Sequence, residues 1–227
     1  MILFGFSISF FLSGFWLDLL DDPEMPNLAS DLLSSGIVFK ARLFFTAFSA
    51  FALILFCLRS KKNLLYLQIF LLLGQSILMP PIRQLGDNLR QLPLRNISKQ
   101  ILDMREGKES LAMIGIRKPS LHFYTRQIVF YETNSAEGLV NLYERLIFDK
   151  RMNFQDKPDY DAESFLVVID KYSMQKEHWA NINHQKLSEY GIYNLWRVKK
   201  SDLNKSAINL VDNGFVSNWR DKQVEKF

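Results

Sequence analysis

Cysteine is almost absent from this chain. Its one copy in 227 residues, Cys57, sits inside an apolar run. No intramolecular disulfide is possible, so any extracytoplasmic domain must rest on its hydrophobic core. Histidine is nearly as scarce, with His122, His178 and His184 the only copies. The last two are expected on one helix, six residues apart and on different faces, which does not make a zinc pair. There is no Gly-x-Ser-x-Gly elbow, no Gly-rich phosphate loop and no cysteine pair. Charge of one sign is also weak, at +4 net. Residues 83–227 carry the whole excess, with 23 Lys and Arg against 19 Asp and Glu, and the first 82 residues are balanced at 5 against 5. A scattered excess of this size suits anionic lipid headgroups and is too small to imply nucleic acid. No repeat or low-complexity segment is present.

Long apolar runs, in contrast, are abundant. Residues 2–17, 43–58 and 64–79 form three stretches with almost no charge, all before Pro80 and Pro81. Beyond those prolines the composition is that of an ordinary soluble domain. A bilayer-spanning helix needs about 20 apolar residues, and the flanks extend each run toward that length. Lys40 and Arg42 can snorkel from the mouth of the second span. The first run lacks the basic start and the small-residue cleavage site of a signal peptide. Three core helices of a soluble bundle are the alternative, but such helices normally show a polar face. The expected fold class is therefore membrane α-helical, with three transmembrane helices at about 1–17, 37–58 and 63–80, followed by a small α/β extramembrane domain. The transmembrane region covers 1–82. A membrane-proximal helical connector follows at 83–107, interrupted at Leu92 and Pro93, then the α/β domain at 108–200 and a polar tail at 201–227.

Sidedness stays open on charge alone. The basic turn Arg59, Lys61 and Lys62 favours the cytoplasmic side. Arg83, Arg90, Arg95 and Lys99, after the third run, argue the opposite way.

Within the connector, Ile97, Ile101, Leu102 and Met104 with Arg95, Lys99 and Arg105 predict an amphipathic segment able to lie on headgroups. Strands are expected at 111–116, 128–132, 165–169 and 192–198. Helices are expected at 137–150 and 175–190, the second carrying Trp179, Ile182 and Leu187 and stopped by Gly191. This order predicts a small α/β sandwich with a largely parallel sheet. Trp219 is the one large apolar anchor of the tail.

Two places can carry chemistry. The loop with Asp21, Asp22 and Glu24 has paired carboxylates that can hold a divalent cation or act as a base. Its plain reading is a solvated turn shaped by Pro23 and Pro26, and no metal or cofactor is assigned. The second place is the corner 115–127, with Arg117, Lys118, Ser120, His122, Tyr124 and Arg126. Basic and hydroxyl groups there can bind phosphate or sugar oxygens while aromatics stack on apolar faces. The structural reading of the same residues is a corner with Ser120 capping a short helix and Phe123 and Tyr124 in the core.

The corner and its flanking strands, residues 111–124 and 127–132, together with the 20–26 loop and the 91–95 connector, resemble a known family. They are similar to the C-terminal region of GT-C membrane glycosyltransferases of family 39. These are cyanobacterial-type relatives of the protein O-mannosyltransferases and the lipid A aminoarabinose transferase. The resemblance implies a periplasmic α/β domain on an inner-membrane enzyme that moves a sugar from a polyprenyl-phosphate carrier to an acceptor. It places the acidic loop outside and the Arg59–Lys62 turn inside. It also implies that the catalytic carboxylate lies in an earlier external loop of such enzymes, a role not carried onto Asp21 or Asp22. Membrane lipid, a polyprenyl-phosphate sugar and a separate chain with the catalytic helices are the partners it implies, and the chain alone is expected to be inactive. The competing readings are a non-enzymatic membrane-anchored adaptor and a remnant without function.

Overall fold

The computed structural model describes residue 8 and residues 12–58, 62–149 and 162–222. These fall into two compact units, residues 1–91 and residues 92–227.

The first unit is helical. A helical turn α1 (Ser13–Trp16) and a 3-10 turn lead to α2 (Leu28–Ser34), α3 (Ile37–Leu58) and α4 (Asn63–Gly86). Only the end of the first expected span is described, and the rest of it lies outside the described residues, as do Arg59, Ser60 and Lys61. α3 and α4 each belong to a helical run long and apolar enough to cross a membrane. At 1.5 Å per residue, the 22 residues of α3 extend about 33 Å. Most of their apolar side chains face outward, among them Leu53, Phe56, Leu72 and Ile77. Cys57 is exposed on the same apolar surface.

The contact between the two helices is aromatic. Phe44, Phe48 and Phe51 recur at helical spacing on α3, and their rings lie 5.7, 5.5 and 5.0 Å from Phe70 on α4. Gly74 makes room for this stack, because a Cβ there would come within 1.9 Å of the Phe44 ring.

α4 does not stop at the two prolines. It runs through Pro80 and Pro81 to Gly86 and passes into a π-helical turn, Asp87–Gln91. A proline removes one backbone donor from a helix without ending it, and apolar membrane helices tolerate the loss. The change in composition at Pro80 therefore precedes the change in structure, which comes at residue 91.

The second unit is a three-layer α/β/α sandwich. Its elements in order are α5 (Leu92–Met104), β1 (Ser110–Ile114), α6 (Pro119–Thr125), β2 (Val129–Glu132), α7 (Ala136–Phe148), β3 (Ser164–Asp170), α8 (Lys171–Met174), α9 (Glu177–Ala180), β4 (His184–Tyr190), β5 (Tyr193–Lys199) and α10 (Lys200–Asp212). The sheet order is β2-β1-β3-β5-β4. β1 pairs in parallel with β2 and β3, and β5 pairs antiparallel with β3 and β4.

Alternation along the strands builds two cores. Leu111, Met113, Leu166, Val168 and Leu195 face one way and pack against Leu94, Ile97 and Ile101 of α5 and Leu121 of α6. Ala112, Ile114, Val167, Ile169 and Trp196 face the other way and meet Leu139, Leu142 and Leu146 of α7 and Leu203 and Ala207 of α10. β1 is buried at all five positions, as expected of a strand covered by helices on both sides.

Four expectations need correction. The sheet is mixed rather than largely parallel. The expected helix 175–190 is two short helices and then the edge strand β4. Period-two alternation is weak in β4 because one face is half-exposed and a bulge shifts the register between Lys186 and Ser188. Gly191 therefore ends no helix. With φ of 60° it opens the two-residue turn of the β4–β5 hairpin, where positive φ matches the strand twist. His178 lies in α9, and His184 begins β4 and stacks on Trp196 at 3.7 Å, so the two never share a helix.

The apolar face of α5 also lies elsewhere than expected. Ile97 and Ile101 are fully buried on the sheet instead of facing headgroups. The start of the tail is α10, whose Leu203 and Ala207 join the core, and Trp219 is buried as an anchor. Ser135 caps α7 by accepting the Gly138 N–H at 3.2 Å. Backbone and Ser135 hydrogen bonds hold the Glu137 carboxyl below its usual range.

β4 protects the sheet edge with charge. Glu189 bonds Lys186 and, at 2.9 Å, Lys171, and these two ammonium groups lower its pKa to about 2. A depressed carboxylate contributes stability that is complete above its unfolded pKa and is lost as pH falls through the folded one. The Glu189 contribution is therefore present at neutral pH and fades from about 4.5 down to about 2. Glu189→Gln should flatten this part of the melting-temperature profile by a small amount, and salt should shrink the difference further. A difference that persists at high salt would contradict this.

Candidate functional site

The corner 115–127 is built at the carboxyl end of β1. Gly115 leaves the strand with φ of 84°, and its N–H donates to the Glu132 carbonyl at 3.1 Å. The next N–H, of Ile116, donates to Asp170 Oδ2 at 3.2 Å. Asp170 ends β3 and is buried. Its carboxylate also accepts from the Ser173 N–H at 2.8 Å and the Ser173 hydroxyl at 2.7 Å, capping α8. One carboxylate thus ties the end of β1 to the end of β3.

Arg117 is exposed, with its guanidinium 5.0 Å above the Tyr131 ring. The Tyr131 hydroxyl donates to the Lys118 carbonyl at 3.0 Å. The ring therefore serves as a platform for the arginine and as a tether for the loop, and stacking limits the directions the guanidinium can take. Lys118 occupies the N-cap of α6, followed by Pro119, and no side chain caps the helix. Ser120 is consequently not a cap.

The other expected residues spread along α6. His122 Nδ1 bonds the Gln127 carbonyl. Thr125 donates its hydroxyl to the Leu121 carbonyl at 2.8 Å. Tyr124 packs partly against the core, and Phe123 meets its ring edge-on at 5.6 Å while remaining 74% exposed. Arg126, at φ of 53°, closes the helix by donating its N–H to the His122 carbonyl at 2.7 Å. Seven helical residues rise about 10 Å. Arg117 and Lys118 therefore lie together at one end of α6, with Arg126 at the other and the His122 ring bonded to the loop that leaves the helix.

The acidic loop, in the first unit, is an ion-paired turn. Asp22 accepts the Glu24 N–H at 2.8 Å. Arg90 bonds Asp22 at 2.7 Å and lies 3.7 Å from Glu24, while Asp21 is exposed. Arg90 supplies the positive charge that a cation would bring. Among the described residues no group of three or more His, Cys, Asp or Glu side chains is placed to hold a metal ion.

Asp170, Ser173 and Tyr131 were not foreseen as parts of the corner. The signal for the first two was an Asp directly after an apolar strand with Ser three residues on, the spacing of a helix cap.

Residues 104–214 match the family described as cyanobacterial RgtA-type glycosyltransferase, C-terminal domain. Over those residues the chain is similar to the C-terminal domain of an RgtA-type GT-C glycosyltransferase. The RgtA-type match runs from the end of α5 through α10 and so contains the whole corner. Among solved structures the chain is similar to ArnT from Cupriavidus metallidurans in the apo state, with 11% identity and a TM-score of 0.51 over 88% of this chain. The same protein bound to undecaprenyl phosphate matches with 12% identity and a TM-score of 0.51 over 86% of this chain. At these identities the likeness is one of fold. The chain spans 37% and 36% of the ArnT chains. A comparison with curated proteins finds no match.

Proposed function

We propose that this chain is the C-terminal part of an integral-membrane glycosyltransferase that takes its sugar from a polyprenyl-phosphate carrier. The observation that carries this reading is the exposed Arg117, oriented by the Tyr131 ring beside Lys118 within an RgtA-type domain. Two adjacent cations, one of them with the planar donor fork that suits phosphate oxygens, fit a lipid phosphate or the phosphate of a lipid-linked sugar. The fold is shared with ArnT, one of whose structures holds undecaprenyl phosphate.

In this reading the first apolar run is a third membrane span and the RgtA-type domain lies on the periplasmic side of the inner membrane. The helices that bear the catalytic carboxylate lie outside these 227 residues, on a separate chain or in a longer form of this one. The corner positions the carrier, with Ser120, His122 and Tyr124 lining the approach and Arg126 meeting headgroups at the far end of α6. The sugar, hexose or pentose, is selected elsewhere.

The test uses the full chain in lipid nanodiscs with a polyprenyl phosphate. Wild type should retain the carrier, and Arg117→Ala should weaken retention about tenfold, or about 1.4 kcal/mol. Arg117→Lys should recover only part of that loss, because an ammonium lacks the fork. Equal retention by all three would remove the corner from carrier binding. A transfer assay with a polyprenyl-phosphate sugar should give no turnover from the chain alone. Robust turnover would overturn the separate catalytic part and bring Asp21 and Asp22 forward as the acids.

A further inference from the structure

The helices α7, α9 and α10 leave an open cleft of about 420 Å3 on the sheet face opposite α6. α7 starts four residues after β2 ends, and α8 and α9 follow β3 directly. α10 leaves the antiparallel strand β5 from the other edge of the sheet, so its final turns run back toward this one. The cleft therefore lies at the carboxyl ends of the parallel strands, the edge where open α/β sheets bind ligands. Its volume falls within the range of small-molecule sites, about 300–1,000 Å3.

The lining has a definite chemistry. α9 contributes Asn181, and α10 contributes Ser206, Asn209 and Asn213. The side chains of Asn181, Ser206 and Asn209 bond to nothing else among the described residues. Asn213 gives its amide N–H to the Asn209 carbonyl at 2.8 Å, which leaves its side-chain oxygen as an acceptor. His178 Nε2 donates to the Asn134 carbonyl at 2.6 Å, and the ring's other nitrogen completes the polar lining. Half-buried Phe215 and Leu210 supply an apolar wall.

Among the described residues no lysine or arginine lines the cleft, and Glu177 adds a negative charge. An anion is therefore disfavoured, including the phosphate expected at the corner. A metal cation finds no cluster of ligating groups among the described residues. What remains is a neutral molecule with many hydroxyls and an apolar face. An amide offers a donor and an acceptor side by side, which pairs with vicinal hydroxyls, and an aromatic ring covers the C–H face of a pyranose.

We propose that this cleft is a binding site for a neutral saccharide. It is separate from the corner and does not depend on carrier binding there. Its place on the domain fits a glycan segment held away from the reacting lipid, such as the body of an acceptor.

The experiment is saturation-transfer NMR on the full chain in nanodiscs, with methyl glycosides of glucose, galactose, mannose and N-acetylglucosamine, and glycerol as the control. At least one glycoside should show transfer centred on its C–H face, with a Kd of about 1 mM, equivalent to about −4 kcal/mol. Glycerol should show none. Asn209→Leu, at an exposed position, should weaken binding at least tenfold without lowering the melting temperature, and Phe215→Ala should remove the C–H transfer. Arg117→Ala should leave glycoside binding unchanged while it weakens carrier retention, so the two readings fail separately. No transfer from any glycoside, transfer equal to that of glycerol, or undiminished binding by Asn209→Leu would overturn the site.

Discussion

Arg145→Met should destabilise the α/β unit by about 3–5 kcal/mol, the largest loss expected from a single substitution here. Arg145 is buried to 2% exposure between two carboxylates that are fully buried. Its Nη1 bonds Glu132 at 2.8 Å, and its Nε lies 3.4 Å from Asp149 one helical turn on. The guanidinium also sits 5.0 Å from the Phe130 ring. Methionine fills much of the same volume, so the cost arises from charge rather than from a void. Glu132 would keep Lys222 at 2.5 Å, and both carboxylates would lose the guanidinium that lies between them. Removing one member of a buried ion pair strands the other, whereas removing all members together can be close to neutral. Thermal melting in detergent should show the single variant lower by roughly 10–20 °C. Replacing Asp149 by Asn in the same chain should restore part of the loss. A drop worth less than about 1 kcal/mol would mean that water already reaches this group.

Gly115→Ala is expected to cost about 2–4 kcal/mol and to disorder the corner along with it. Two effects add at this position. The backbone there has φ of 84°, which side chains rarely adopt. A Cβ would also lie 2.1 Å from Asp170 Oδ2 and 2.2 Å from Ser173 Oγ. Neither oxygen is free to move, because each takes part in the bond between Asp170 and Ser173. The side chain can be accommodated only if the clamp on Ile116 opens. Asp170→Ala removes the nearer oxygen, so the double variant should be less destabilised than the sum of the two singles. Strict additivity, within about 0.5 kcal/mol, would show that the clash is relieved some other way. Carrier retention by Gly115→Ala should fall with Arg117 intact, because the loop that holds the arginine loses its anchor.

The parts legible in the sequence were those set by local pattern. β1 and β3 announce themselves as apolar runs, and both lie within a residue or two of the expected ends. α7 was legible from Leu139, Leu142 and Leu146 at helical spacing. Phe165–Ile169 was the most apolar strand expected, and it lies at the centre of the sheet. The edge strand β4 was not legible. Its neighbour covers only one side, its outer face meets water, and a bulge breaks its alternation. Proline misled for a related reason. In water Pro80 and Pro81 would be strong breakers, but in an apolar helix the ladder continues around them.

The site divides in the same way. The basic character of the corner, and its place after a strand, could be read from residues 115–127. The amphipathic segment of α5 could be read too, but not the surface that its apolar face would find. Asp170 and Tyr131 lie 54 and 13 residues from the groups they hold. Local pattern says nothing about such pairs, because parallel crossovers bring the strand ends together only after both cores have formed.

The sequence by itself determined that apolar helices precede an α/β domain, that no disulfide supports that domain, and that its basic corner follows the first strand. Each of these rests on composition or on a period of a few residues. Only the tertiary structure decided that the sheet is mixed, that α10 completes its second layer and that the corner is fastened by Asp170. It alone separated Arg126 from Arg117 and gathered three asparagines into a cleft. These facts depend on burial shared between distant segments. The same side chains are solvated when the chain is extended and acquire their roles only when the sheet places them together.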